Sequence, residues 1–142
     1  MIQTIQESYK VQEDLEKIVE NLMGSGGSVF EVVALISRDL TILAVAGNSN
    51  TSLDVLSSAG AIALSVFSSI LGETGLKAPD KIKIQLKDKR YLIIHNYSDR
   101  FLICITRPNP RLGFIELVLE YYKRDLLGST SMERCIISTI KE

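Results

Sequence analysis

Residue types that carry catalysis or bind metals are scarce in this sequence. Its 142 residues include one histidine and two cysteines, and tryptophan is absent. Two cysteines are too few for a disulfide framework, and Cys104 and Cys135 lack the spacing of metal ligands. No nucleophile can be paired with a general base. We therefore expect no catalytic residue, no metal site and no cofactor, so the protein is not predicted to be an enzyme.

Excess charge and a secretory leader are also lacking. The formal net charge is −1, so no overall field favours nucleic acid or anionic lipid. The opening residues MIQTIQESYK lack the basic segment and apolar run of a signal peptide. We expect a cytoplasmic protein with reduced cysteines and without a nucleic-acid partner.

Two isolated features are weak candidates for a phosphate-binding loop and a general base. The glycines of residues 24–28 follow a predicted helix rather than a strand, and no Lys-Ser or Lys-Thr pair follows them, which excludes a P-loop. His95 could be a general base. The more ordinary interpretation, which we prefer, is a partly buried strand histidine with a hydrogen-bonded ring.

An uncharged stretch of 18 residues from Val55 to Gly72 is the most informative part of the chain. Helical periodicity gives it a broad apolar arc, which we assign to the core. The remaining arc is small and neutral, unlike the Lys- and Glu-rich face of an ordinary surface helix. We predict that this second arc contacts another protein. It contains Ser57, Ser58, Ala61, Ser65, Ser68 and Ser69.

The same helix is almost long enough to span a membrane. Its five serines all lie on one side, however, which favours a packed amphipathic helix over direct membrane insertion. We predict that Thr51 caps its start, with Asp54 three residues later, and that Gly72 ends it.

The remaining pattern predicts one α/β (α+β) domain. Helices are expected over 6–23 and 111–127, and strands over 29–36, 41–46, 81–86, 90–97 and 101–106. The order helix-strand-strand-helix-strand-strand-strand-helix indicates an α/β/α sandwich around a five-stranded antiparallel sheet, the profilin-like layout. We place the domain at residues 1–127, and a linker with a short C-terminal tail at 128–142.

The order of elements, together with VFEVVALISRDLTILAVAG leading into the serine-rich helix, resembles the Roadblock / dynein-light-chain family. Further markers are the alternating strand KIKIQL and the last helix, opened by Leu112-Gly113. Leu40 departs from the pattern, because members of the family often have glycine after the acidic turn residue. This substitution predicts a different or longer turn within an unchanged fold.

The resemblance implies a non-enzymatic protein that dimerises and docks a small Ras-like GTPase, as prokaryotic Roadblock-type regulators and scaffolds do. By position, the predicted dimer edge strand comprises Lys81, Ile82, Lys83, Ile84, Gln85 and Leu86. The serine–alanine arc then becomes the helix surface at the dimer and partner contacts. The partner across the dimer axis is a second copy or another Roadblock-type chain.

Other functions stay open at this point. A dynein-type motor-associated light chain fits the same resemblance. A small-molecule-binding sensory domain of profilin/PAS-like layout would need a cavity between the sheet and a helix. A GTPase regulator could also supply an arginine finger, for which Arg38, Arg107 and Arg111 are available.

Overall fold

The computed structural model describes the backbone of residues 2–47 and 52–141, and the side chains of residues 14–47 and 52–127. The predicted loop at 48–50 and the predicted cap at Thr51 lie outside these ranges. Within them the order of elements is as predicted. The elements are α1 (Ile2–Ser25), β1 (Phe30–Ser37), β2 (Ile42–Gly47), α2 (Leu53–Glu73), β3 (Lys81–Gln85), β4 (Tyr91–Asn96), β5 (Arg100–Thr106) and α3 (Leu112–Lys141).

The five strands form one antiparallel sheet in the order β2-β1-β5-β4-β3. This confirms the predicted five-stranded antiparallel sheet and the fold class. The long connection through α2 and the meander brings β5 next to β1. Both are therefore central strands, buried on both faces, which explains their nearly continuous apolar sequences. β2 and β3 form the two edges.

Alternate residues of the central strands divide the core between the two faces of the sheet. On β1, Val33 and Leu35 pack with α1 and α3, whereas Val32 and Ala34 pack with α2. Cys104 of β5 lies on the first side and is buried, as predicted, and burial raises the pKa of its thiol. The molecule thus has α2 on one face of the sheet and the α1/α3 pair on the other.

The C-terminal helix is longer than predicted. α3 continues through residues 128–131, where the sequence suggested a linker, and ends only at Lys141. That prediction was wrong because an established helix adds each further residue at little cost. A glycine such as Gly128 costs only about 1 kcal/mol inside a helix. The domain boundary after Leu127 stays a prediction.

α2 ends at Glu73, and its left-handed terminating residue lies three positions after Gly72, the residue that the sequence suggested. Gly72 is still helical, and the left-handed residue is Gly75, with φ of 80°. The Leu76 N–H donates to the Leu71 carbonyl at 2.8 Å, and the Gly75 N–H to the Gly72 carbonyl at 3.1 Å. These two bonds form a Schellman motif. At the other end Ser52 is the N-cap residue, without a side-chain capping bond.

Leu40 occupies the position that departs from the family pattern. Its φ is 70°, a left-handed conformation that glycine adopts freely and a leucine adopts at a cost. The turn is nevertheless held, since the Leu40 N–H donates to the Ser37 carbonyl at 3.1 Å and the Ser37 N–H to the Thr41 carbonyl at 2.9 Å. The fold therefore keeps the geometry of a glycine turn with a leucine in it.

Candidate functional site

α2 contacts the sheet along a narrow line. Gly60 faces β5 so closely that an added Cβ would lie 2.9 Å from Cε2 of Phe101 and 3.3 Å from Cδ1 of Ile103. One helical turn to either side, Leu56 and Leu64 are buried in the same cluster. Gly60 thus marks the centre of the side that packs on the sheet.

The six residues predicted as the helix surface do not form one exposed face. Ser57 is buried, and its Oγ donates to the Leu53 carbonyl at 2.7 Å. Ser58, Ala61 and Ser68 are half-buried, and only Ser65 and Ser69 are exposed. The small residues therefore serve partly to bring α2 close to the sheet. Their role in a dimer or partner contact stays a prediction.

Large apolar side chains make up much of the exposed surface of α2, beside the exposed Ser65 and Ser69. Five of them are between 45% and 62% exposed. We call them the α2 apolar face: Val55, Ile62, Val66, Phe67 and Ile70. Assigning the whole apolar arc to the core was therefore wrong. The arc spans about 200°, whereas a helix lying on one sheet buries a stripe of roughly 100°. The excess width of the arc was the signal in the sequence that part of it must stay uncovered.

Within the described residues, α2 is the one helix long and apolar enough to cross a membrane. Length and composition alone support that possibility. The close fit of Gly60 against β5 supports the predicted alternative, a packed helix of an α/β fold.

The predicted dimer strand is an edge of the sheet, with β4 as its one neighbour. The Leu86 N–H donates to the Arg90 carbonyl at 2.8 Å and closes the hairpin, and the Asn96 N–H donates to the Asp80 carbonyl at 2.8 Å. In an antiparallel pair the backbone groups of every second residue bond to the neighbouring strand, so those of the even-numbered residues bond to β4. The backbone groups of Lys81, Lys83 and Gln85 consequently point away from the sheet. Leu86 itself lies just beyond the strand.

The side chains of this strand lie on two faces. Ile82 is half-buried beside the α2 cluster, and Ile84 on the same face is 38% exposed. Lys81 and Lys83 on the other face are exposed and also contact α3, where Glu116 lies 3.2 Å and 2.5 Å from their ammonium groups. These ion pairs outweigh burial and lower the pKa of Glu116.

His95 is buried on β4, 3% exposed, on the face that packs with α3. Burial lowers its pKa to about 4, so the imidazole is neutral at pH 7. The ring is buried as expected, and among the described residues its Nε2 atom has no hydrogen-bond partner. The hydroxyl of the adjacent Tyr97 also has no partner there. Both residues line an open cleft of about 210 Å³ between the sheet and α3. Across the described residues no group of three His, Cys, Asp or Glu side chains could hold a metal ion.

One of the three arginines considered for GTPase chemistry has a structural role. Arg38 donates from Nε to the Ser98 carbonyl at 2.6 Å, and from its terminal nitrogen to Oδ1 of Asn96. These bonds tie the β1–β2 turn to the β4–β5 turn. Arg107 and Arg111 lie at the other end of the sheet, beside a groove at the start of α3.

Solved structures with this arrangement include MglB of Myxococcus xanthus. Its TM-score is 0.75 at 17% identity, over 87% of this chain and 90% of that one. The chain has the Roadblock fold. The gliding protein MglB of Thermus thermophilus gives a TM-score of 0.75 at 16% identity, over 86% and 92%. A Roadblock/LC7 domain from Streptomyces avermitilis gives 0.58 at 17% identity, over 76% and 97%.

These comparisons establish the fold alone, because all three sequence identities are below one fifth. No protein-family model matches the sequence, and no curated protein matches it significantly. The resemblance drawn from residues is thereby confirmed for the fold: strand order, helix order and layers agree with it.

Proposed function

We propose that this chain is a non-enzymatic, cytoplasmic regulator or scaffold that dimerises and docks a small Ras-like GTPase. The α2 apolar face carries the proposal. It exposes large side chains over an area on the order of a few hundred Å², the size of the largest apolar patch on a typical soluble protein, and such a patch is often a binding surface. The Roadblock fold supports it, since the resemblance implies this kind of partner.

The edge strand beside α2 supports dimerisation. The outward backbone groups of Lys81, Lys83 and Gln85 have no partner strand among the described residues. In a two-fold dimer the same strand of a second copy can supply the missing bonds. Ile84, exposed on the α2 side of this strand, would then be covered together with the helix.

Light scattering of the full chain tests the apolar face. Ile62→Glu places a charge on it and is expected to weaken the dimer by at least about tenfold. Leu117→Glu is the matched control, because Leu117 is equally apolar and exposed but lies on α3, across the sheet. A monomeric wild type, or equal effects of both substitutions, would contradict the proposal.

A proline tests the strand separately. At Lys83 it removes an N–H that points away from the sheet, so the protomer keeps its own ladder and loses only a bond to a partner. Lys83→Ala is the control, since it removes the same ion pair with Glu116 but keeps the N–H. We expect dissociation of the proline variant and not of the alanine variant. If both remain dimeric, pairing through this edge is wrong.

Binding to purified small Ras-like GTPases tests the partner. We expect the chain to favour one nucleotide state by tenfold or more, because a regulator that binds both states equally shifts no equilibrium. Failure with both the GTP-loaded and GDP-loaded forms would contradict the GTPase and leave the dimer standing.

The cleft favours a second candidate function, the binding of a small polar molecule. Its floor holds His95 and Tyr97, each with a buried polar atom that costs about 1–3 kcal/mol to leave unpartnered. Thermal stabilisation of the chain by a small molecule without any protein would support it. The result would be specific to this site if Tyr97→Phe abolishes the stabilisation and Tyr121→Phe does not.

A further inference from the structure

A second exposed apolar line runs along α3, on the opposite face of the sheet from α2. It consists of Phe114, Leu117 and Tyr121, which are 42%, 71% and 75% exposed. Their spacing of three and then four residues places them on one side of the helix. We call them the α3 ridge. The same spacing forms the contact line when two helices pack together.

The arginines of the described chain divide into two groups. Arg38, Arg90 and Arg100 are held by hydrogen bonds or ion pairs. The side chains of the other three make neither among the described residues, and all of them flank the α3 ridge. They are Arg107, Arg111 and Arg124.

These free arginines lie at both ends of the ridge. Arg107 and Arg111 line one groove with Phe114, a space of about 300 Å³ at the start of α3. Arg124 follows Tyr121 by three residues and so lies on the same side of the helix, next to Asp125, which follows Tyr121 by four. The excess of cations is therefore at the Arg107 and Arg111 end, and an apolar line with cations there is complementary to an apolar line with carboxylates at the matching end.

We infer that the α3 ridge docks an amphipathic helix of a partner protein, with acidic residues beside its apolar stripe. A nucleic acid would also attract arginines and stack on aromatic rings. Against it, the exposed face of the adjacent α1 carries Glu16 and Glu20, α3 carries the exposed Glu120, and the net charge is −1. These carboxylates repel a continuous phosphate backbone more than a helix with a few acidic side chains.

This surface does not depend on the proposed dimer or GTPase. The α2 apolar face and the α3 ridge lie on different layers of the sandwich, so both can be occupied at once. The chain would then link two proteins, one on each side of its sheet.

Fluorescence anisotropy with two labelled synthetic peptides tests the inference. Both carry leucines at alternating three- and four-residue spacing; one has glutamates beside the leucines and the other has lysines. With the full chain we expect the acidic peptide to bind at least tenfold more tightly than the basic one. Leu117→Glu should abolish binding, and Arg111→Glu with Arg124→Glu should reverse the preference between the peptides.

Leu76→Glu is the control, because it places the same charge on an exposed leucine outside both the α3 ridge and the α2 apolar face, and it should leave the affinity unchanged. The inference is overturned if neither peptide binds up to about 1 mM, if both bind equally, or if Leu76→Glu abolishes binding. It is also overturned if single-stranded RNA binds more tightly than the acidic peptide. A lower molar mass of free Leu117→Glu would show instead that the ridge joins two copies of this chain. Circular dichroism and the melting temperature verify that each variant is folded.

Discussion

The contact between α2 and the sheet can be tested with two glycines of the same helix. Replacing Gly60 with alanine places a Cβ 2.9 Å from Phe101 and 3.3 Å from Ile103, closer than atoms of a packed core lie. Both neighbours are buried, so they cannot move into solvent. Overpacking of this kind costs about 1–3 kcal/mol, while alanine in a helix gains about 1 kcal/mol over glycine. We expect a net loss of about 1 kcal/mol.

Gly72→Ala is the matched control. It lies in the last turn of the same helix, and an added Cβ meets no atom within 4 Å. It should therefore gain helix propensity alone, about 0.5 kcal/mol near a helix end. The two variants should differ by about 1.5 kcal/mol in the free energy of unfolding, or roughly 4–6 °C in Tm for a chain of this size.

Urea denaturation followed by circular dichroism measures this difference. Protein concentration must be equal and fixed, because the stability of a dimer depends on it. If Gly60→Ala is as stable as Gly72→Ala, α2 does not lie on the sheet by its Gly60 side. In that case the α2 apolar face is not the outer side, and the proposed function loses its main support.

Three further predictions concern single positions. Lys89 has a positive φ of 74°, which glycine adopts without strain, and Lys87 has no positive φ. Lys89→Gly should therefore raise the free energy of unfolding by about 0.5–1 kcal/mol, and Lys87→Gly should lower it. Equal effects of the two substitutions would contradict this prediction. Leu40→Gly should stabilise by a similar amount in the same urea assay, unless the partly covered leucine side chain contributes more than its strain costs. His95, the chain's one histidine, should titrate near pH 4 by NMR. The unfolded state binds a proton at this imidazole below about pH 6.5, whereas the folded state does so only near pH 4. The free energy of unfolding should therefore fall by up to about 3 kcal/mol between pH 6.5 and 4, and it should fall less in His95→Gln. A midpoint near 6.5 would refute the burial of its ring.

Much of the fold was predictable because the helices and strands favoured by local sequence patterns are the ones that the layers of the folded domain require. The apolar run of β1 is typical of a strand covered on both faces, and the alternation in β3 is typical of a strand with one buried face, while its place at the edge followed from the family resemblance. Helix ends were less predictable. Gly72 and Gly128 resemble terminators in sequence, yet both are helical, because a single glycine costs less than the surrounding helix gains.

The candidate site was predictable in location and not in orientation. Lack of charge singled out α2 correctly as unusual. Helical periodicity then divided its residues into an apolar arc and a serine–alanine arc, and the serine–alanine arc was predicted to be exposed. Gly60 and Ser57 instead allow the close approach to β5, and the larger Ile62 is left outside.

The sequence by itself determined the elements, their order and the helix without charge, since each of these depends on neighbours along the chain. Tertiary structure alone decided that β5 lies beside β1, that Glu116 meets the lysines of the edge strand, and which side of α2 remains exposed. The physical reason is the width of the apolar arc of α2. A broad apolar arc can bury only the stripe that one sheet covers, and which stripe is covered depends on how closely a distant strand lets the helix approach.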